Sequence, residues 1–294
     1  MSSKTVQLIQ KVLARAGVCT AVITLALATH ADAKPGFSPV IIRGIPAPAG
    51  AAPASQEQPL AYLATFPEGT LQPSIDRLEA GAMQTGDTLI PNSNPTFTPL
   101  KGEYLIGITR PVDLPPDVIP AASLWATPVN FGTGSILRLR STFIAPVGPL
   151  PGGGFAIGLI AKVGNKDDLQ EEPKIGVTVN VRPGFLVRFG ASIGNAEPAR
   201  VVLPDAVKEA MFSSTDPSPF TIELTVDRTQ GTATGKLTVG DQVFIVPFVP
   251  TDFLANSGPT ITTVGPGIAV NSNGPGQTAS VHVQDFRIYT TVGG

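Results

Sequence analysis

The chain has 294 residues, of which 42% are hydrophobic and 14% charged, with 31 glycines, 30 prolines and one cysteine. A net charge of −2 and no basic runs argue against binding nucleic acid or an anionic membrane. With Cys19 as the sole cysteine, no disulfide lattice or thiolate metal site can form within the chain, so its stability must come from core burial.

Lys4, Lys11 and Arg15 precede an apolar stretch, Ala16 to Thr29, and the small-x-small triplet Ala31-Asp32-Ala33 follows. This three-part pattern predicts a signal peptide over 1–33, cleavage near Lys34, and export to the periplasm or the cell exterior. The remainder carries 17 basic and 21 acidic residues, about −4, and no cysteine. No later stretch is long and apolar enough to be read as a membrane span. Residues 34–59 are rich in proline and alanine without periodicity and read as a linker; 60–294 read as one domain.

Between 60 and 130 the chain predicts short strands at Leu60–Thr65, Thr88–Pro91 and Glu103–Thr109. The prolines between them favour edge strands and long loops of that domain over an independent core. From Ile136 the alternation is regular. Leu137, Leu139 and Phe143 alternate with Arg138, Arg140 and Thr142, and Phe155, Ile157, Leu159 and Ala161 follow a predicted hairpin turn at Gly152–Gly154. Then Ile175, Val177, Val179 and Val181 lead to Phe185, Val187 and Phe189 across a turn. A loop of Pro183-Gly184 alone would place Val179 opposite Arg188 and mix the faces. A loop of Arg182 to Gly184, with Gly184 left-handed, pairs Val181 with Phe185 and Val179 with Val187, and is preferred.

A short helix is predicted at Asp205–Phe212. Beyond it, a loop of Arg228 to Gly231 places Val226 opposite Ala233, Ile222 opposite Leu237 and Phe220 opposite Val239. On the other face the same register pairs Glu223 with Lys236, Thr225 with Thr234 and Thr221 with Thr238, all favourable across strands. A Gly240-Asp241 turn then starts a third strand with Phe244, Val246 and Phe248 inward. Its outward set, Val243, Ile245 and Pro247, is apolar and is expected to be covered by residues 60–130. In the last strand, Ala279–Thr290, the apolar phase changes at Gln284-Asp285, which predicts a bulge or burial on both faces.

The succession Leu137-Arg-Leu-Arg140, Gly154-Phe-Ala-Ile-Gly158, Thr221-Ile-Glu-Leu-Thr-Val-Asp-Arg228, Gly267-Ile-Ala-Val270 and Val281-His-Val-Gln-Asp-Phe-Arg-Ile-Tyr289 resembles the concanavalin A-like, laminin G-like jelly-roll superfamily over about residues 130–290. That resemblance implies an all-β antiparallel jelly-roll sandwich. It also implies a range of roles, from lectins and carbohydrate-binding modules to glycoside hydrolases, polysaccharide lyases and adhesion domains.

Few residues carry chemistry. The Glu-x-Asp-x-x-Glu strand signature of laminarinase-like members is absent; Glu223 and Asp227 share an outer face, but Lys236 and a turn account for them. Gly190-Ala-Ser192-Ile-Gly194 fits G-x-S-x-G, yet no helix continues after it and His282 sits in a strand, so a chance match is expected. One histidine after the leader makes a transition-metal site improbable. A structural calcium ion is the cofactor the resemblance makes plausible, with Asp285 or the loop Asp167, Asp168, Glu171 and Glu172 as carboxylate sources. Aromatic residues for sugar stacking are few: Trp125, Tyr62, Tyr104 and Tyr289. Polar readers on one outer face, Thr178, Asn180 and Arg188, are the ligand-facing candidates. The expected function is an exported, non-catalytic jelly-roll domain that binds a glycan or an envelope partner. The alternatives are a carbohydrate-active enzyme without a visible motif, and a structural surface protein assembling through the Val243 and Ile245 strand or the Pro-rich loops.

Overall fold

The computed structural model describes residues 60–65, 75–82, 94–115, 119–126, 129–130, 136–163, 174–193, 196–257, 260–261, 263–270 and 274–290. The predicted leader, the linker, the strand Thr88–Pro91 and the acidic residues of the 167–172 loop lie outside them, as do the side chains of Tyr62 and Trp125.

The fold is an all-β antiparallel jelly-roll sandwich of two sheets. The first, sheet A, runs in the order β14 (Gln242–Phe248), β13 (Thr232–Val239), β12 (Phe220–Asp227), β7 (Ile136–Ile144), β17 (Thr278–Thr290), β4 (Glu103–Thr109) and β3 (Thr96–Leu100), with β1 (Leu60–Thr65) also paired to β17. Sheet B runs β11 (Ala196–Val202), β10 (Leu186–Ile193), β9 (Lys174–Arg182), β8 (Phe155–Lys162), β16 (Thr263–Val270), β5 (Pro120–Ala126) and β2 (Ile75–Ala82). A two-stranded ribbon joins β6 (Val129–Asn130) to β15 (Thr260–Ile261). The chain crosses repeatedly between the sheets, and the inward rows of both meet in one core. Leu137, Leu139, Ile222, Leu224, Val281 and Phe286 come from sheet A, and Ile157, Leu159, Val177, Val179, Phe189 and Ile268 from sheet B.

The β12–β13–β14 meander has the expected register residue for residue, including Val226 opposite Ala233, Glu223 opposite Lys236 and the two threonine pairs. Each loop is closed by a left-handed glycine, Gly231 at φ 67° and Gly240 at φ 53°. The last strand carries the expected bulge: its register against β7 shifts between Val283 and Asp285. Gln284 is the inserted residue, and beyond it Phe286 and Ile288 return to the core at 0% exposure.

Five expectations are corrected. Gly152–Gly154 is not a hairpin turn, because β7 lies in sheet A and β8 in sheet B. It is a crossover whose Gly153 N–H donates to Gln277 Oε1 at 2.6 Å. Secondly, the β9–β10 loop is Pro183 to Phe185, so Val181 faces Val187 and Val179 faces Phe189. Both registers keep the same faces, since they differ by two residues, so alternation could not separate them. Phe185 decides the matter. It takes a left-handed φ of 57°, its ring meets Phe212, and its carbonyl accepts from Lys208 Nζ at 3.1 Å.

Thirdly, residues 60–130 do not supply only edges and loops, because β4 lies between β17 and β3, and β5 between β16 and β2. Fourthly, the outward side of β14 is not covered: Val243 and Ile245 are 38% and 48% exposed on this edge strand, and Pro247 stands beside them. Lastly, a second short helix forms among the described residues. The expected helix is present as α1 (Asp205–Met211), whose buried Val207 and Met211 close one end of the core; Phe212, just past it, joins Phe155, Phe185 and Phe220 in an aromatic cluster. The unexpected one is α2 (Thr251–Asn256), which buries Phe253.

Candidate functional site: the outer sheet faces

The inward rows of sheet B leave the opposite set on its outer face. Pairing aligns Arg200, Gly190, Thr178, Gly158, Gly267 and Ser123 in one row across β11, β10, β9, β8, β16 and β5. The next row holds Val202, Arg188, Asn180, Ala156, Ala269 and Ala121. The middle of the sheet is thus a floor of glycine and alanine, and the longer polar side chains gather towards β9 to β11. All three ligand-facing candidates stand there. Arg188 is directly opposite Asn180, and Thr178 is in the neighbouring row opposite Gly190. Each is partly buried.

Arg188 is the unusual member. Its Nε is buried without a hydrogen-bond partner, and no ion pair neutralises the guanidinium among the described residues. A buried donor left unmatched costs free energy; the donors of the same guanidinium that a ligand can reach are its Nη groups, which are not among the buried, unmatched atoms. The glycines beside it let neighbouring strands close up: a Cβ at Gly190 would lie 3.0 Å from the Ala199 carbonyl oxygen and 3.1 Å from Arg200 Cβ, and one at Gly158 would clash with the Thr178 methyl.

The other motifs do not assemble. Ser192 lies on β10 opposite Gly176, on the outer face of sheet B. His282 lies on β17 on the outer face of sheet A, its Nδ1 2.8 Å from Glu103 Oε1, out of line for a hydrogen bond but placed for an ion pair when the ring is protonated. The sandwich core separates the two. Tyr104 is not a sugar platform: it is 2% exposed, and burial raises the pKa of its hydroxyl.

Asp285 serves the bulge. Its Oδ1 accepts from the Thr142 backbone N–H and its Oδ2 from Arg287 Nε, both at 2.9 Å, while its carbonyl accepts from Ser141 Oγ at 2.6 Å. An N–H and a guanidinium are donors, whereas calcium requires oxygen ligands, so these surroundings do not fit that ion. No group of three or more His, Cys, Asp or Glu side chains gathers to share a metal among the described residues.

On the outer face of sheet A, Glu223 is 7% exposed and holds two cations. Its Oε1 accepts from Lys236 Nζ at 2.9 Å, as the strand register led us to expect, and its Oε2 accepts from Arg138 Nε at 2.7 Å and from the same guanidinium's Nη2. Burial alone would raise its pKa, but the bonds and charges of Lys236 and Arg138 outweigh burial and lower it. Asp227 Oδ1 accepts from the Gln230 N–H at 2.9 Å and belongs to the turn. The Arg138 partnership, 85 residues away in sequence, was not anticipated; alternation put both residues outward but could not say that β7 lies beside β12.

No family model matches the chain, and no curated protein matches it either. Among solved structures it is similar to a Lotus tetragonolobus seed lectin at 11% identity and a TM-score of 0.48, over 79% of this chain and 99% of that one. It is also similar to lectin II from Ulex europaeus at 12% identity and 0.44, over 74% and 100%. The carbohydrate recognition domain of Emp47p matches at 13% identity and 0.46, over 83% and 100%. No residue role transfers at these identities, and the jelly-roll assignment rests on the sheet order described above.

Proposed function

We propose that this chain is an exported, non-catalytic binding domain that takes a carbohydrate on the outer face of sheet B, at the cell envelope or outside the cell. The observation that carries this reading is Arg188, a cation without an ion-pair partner among the described residues, beside Asn180 and Thr178 at the edge of rows of glycine and alanine. Sugar hydroxyls both donate and accept. Asn180 and Thr178 can do both, and the guanidinium fork donates in one plane to neighbouring oxygens. Export follows from the leader pattern of residues 1–33.

The test is a glycan array with the chain lacking residues 1–33, followed by calorimetry on any glycan retained. Arg188→Gln should weaken binding about tenfold or more, as expected for the loss of a charge-assisted hydrogen bond. An array without a single retained glycan, or a variant that binds as tightly as the parent, would remove the basis of this reading.

A further inference from the structure

The outer face of sheet A contains a second arginine that the fold leaves unmatched. Strand pairing aligns Lys236, Glu223, Arg140 and Arg287 in one row across β13, β12, β7 and β17. Both carboxylates of this region are engaged: Glu223 by Lys236 and Arg138, Asp285 by Arg287 and the Thr142 N–H. Nothing remains for Arg140. Its Nε is buried without a hydrogen-bond partner, and it has no ion pair among the described residues. Arg287 stands directly opposite it on β17. Like charges facing across a strand pair repel, so this arrangement carries a cost that an anion placed between them would reverse. Among the described residues, this row and its two neighbours carry Lys236, Arg138, Arg140 and Arg287 against Glu223 and Asp285, a local excess of two positive charges on a chain whose net charge is −2.

The flanking rows narrow the chemistry of the ligand. Thr238, Thr221 and Thr142 line one side of the charged row; Thr234 and Thr225 line the other, followed by Arg138 and Tyr289. The Thr142 and Thr221 hydroxyls are 3.3 Å apart, and Arg138 stacks on the Tyr289 ring at 5.4 Å from its centroid. One unpaired cation, Arg140, and a local excess of two positive charges among hydroxyls suit a polymer that carries anions among many hydroxyls of its own.

We propose that the outer face of sheet A, centred on Arg140 and Arg287, binds the anionic groups of an acidic polysaccharide, either carboxylates or sulfate esters. This surface is opposite the one assigned to Arg188 and does not depend on it.

The experiment measures binding of the chain lacking residues 1–33 to polygalacturonate, dextran sulfate and neutral dextran at about 50 and about 300 mM salt, with the variants Arg140→Gln, Arg140→Lys and Arg188→Gln. Lys101→Gln, on the exposed β3–β4 turn, serves as a control of equal charge change. At least one charged polymer should bind, more weakly at the higher salt, and neutral dextran should not compete for this face. Arg140→Gln should weaken that binding about tenfold or more and Arg140→Lys less, while Lys101→Gln matches the parent. Preference for polygalacturonate identifies the carboxylate as the group recognised, and preference for dextran sulfate identifies the sulfate ester. Equal binding of both, lost together in Arg140→Gln, shows a site that reads charge alone. The melting temperature of Arg140→Gln should equal or exceed that of the parent, because the like-charge contact with Arg287 is relieved. The proposal is overturned if neither charged polymer binds, if Arg140→Gln binds as well as the parent, or if Arg188→Gln abolishes the binding that Arg140→Gln leaves intact.

Discussion

Replacing Glu223 by glutamine keeps the size of the side chain and removes its charge. In the native fold this carboxylate is 7% exposed and accepts from Lys236 Nζ at 2.9 Å and Arg138 Nε at 2.7 Å. Hydrogen bonds to charged groups contribute about 1.5–3 kcal/mol each. Glutamine retains one acceptor oxygen, and the two cations left behind are partly solvated, with side chains 36% and 39% exposed. We therefore expect Glu223→Gln to cost about 2–3 kcal/mol at pH 7. For a domain of this size that lowers the melting temperature by roughly 4–12 °C.

The pH dependence of stability tests the Glu223 charge a second way. The Glu223 pKa is lowered in the folded state because Lys236 and Arg138 outweigh the opposing effect of burial. A depressed folded pKa means that the unfolded chain binds the proton more readily. The stabilisation is complete above the unfolded value, about 4.3, and is lost as the pH falls through the folded value. Urea denaturation followed by circular dichroism should thus show a parent–variant gap that is constant from pH 6 to 8 and shrinks below about pH 4. A gap under about 0.5 kcal/mol at pH 7, or one that does not shrink in acid, would refute the account of Glu223 as a shared anion.

Two further outcomes follow from packing and from the bulge. Gly235 faces the core on β13, and a Cβ there would lie 2.5 Å from Val177 Cγ1 and 2.8 Å from Val246 Cγ2. Gly235→Ala should therefore cost about 1–3 kcal/mol in urea titration, despite the stiffer unfolded chain, and unchanged stability would show that the sheets can part there. Asp285→Ala removes the acceptor of the Thr142 N–H, at a cost of about 1–3 kcal/mol. Hydrogen exchange at the Thr142 amide should speed up in this variant, and unaltered protection would contradict the role assigned to Asp285.

Much of the fold was legible because a strand with one face in a core must alternate, and a tight turn needs particular residues. The meander from Phe220 to Phe248 could be registered from its alternation, Gly231, Gly240 and its threonine and Glu–Lys pairs. The bulge was visible as a phase change at Gln284. β5 was not legible. Pro-Ala-Ala-Ser-Leu-Trp-Ala has little alternation, and it forms a strand where Ser123 and Ala121 fit against Gly267 and Ala269 of β16. β3 contains Pro99, which only an edge position tolerates. Of the two outer-face sites, the pattern gave the positions of Arg188 and Arg140 but not their lack of partners.

Period-two hydrophobicity and turn chemistry are local, so they establish that this chain is built of antiparallel strands, which residues face the core, and how the strands of the β12–β13–β14 meander align, but not the register of the β9–β10 hairpin. The tertiary structure alone decided which strands share a sheet. It turned Gly152–Gly154 into a crossover between sheets, drew the β9–β10 loop onto Phe212, and placed Arg138 rather than Arg140 on Glu223. Those choices depend on contacts between segments far apart in sequence, and a pattern that repeats every two residues is the same whichever distant strand comes to lie beside it.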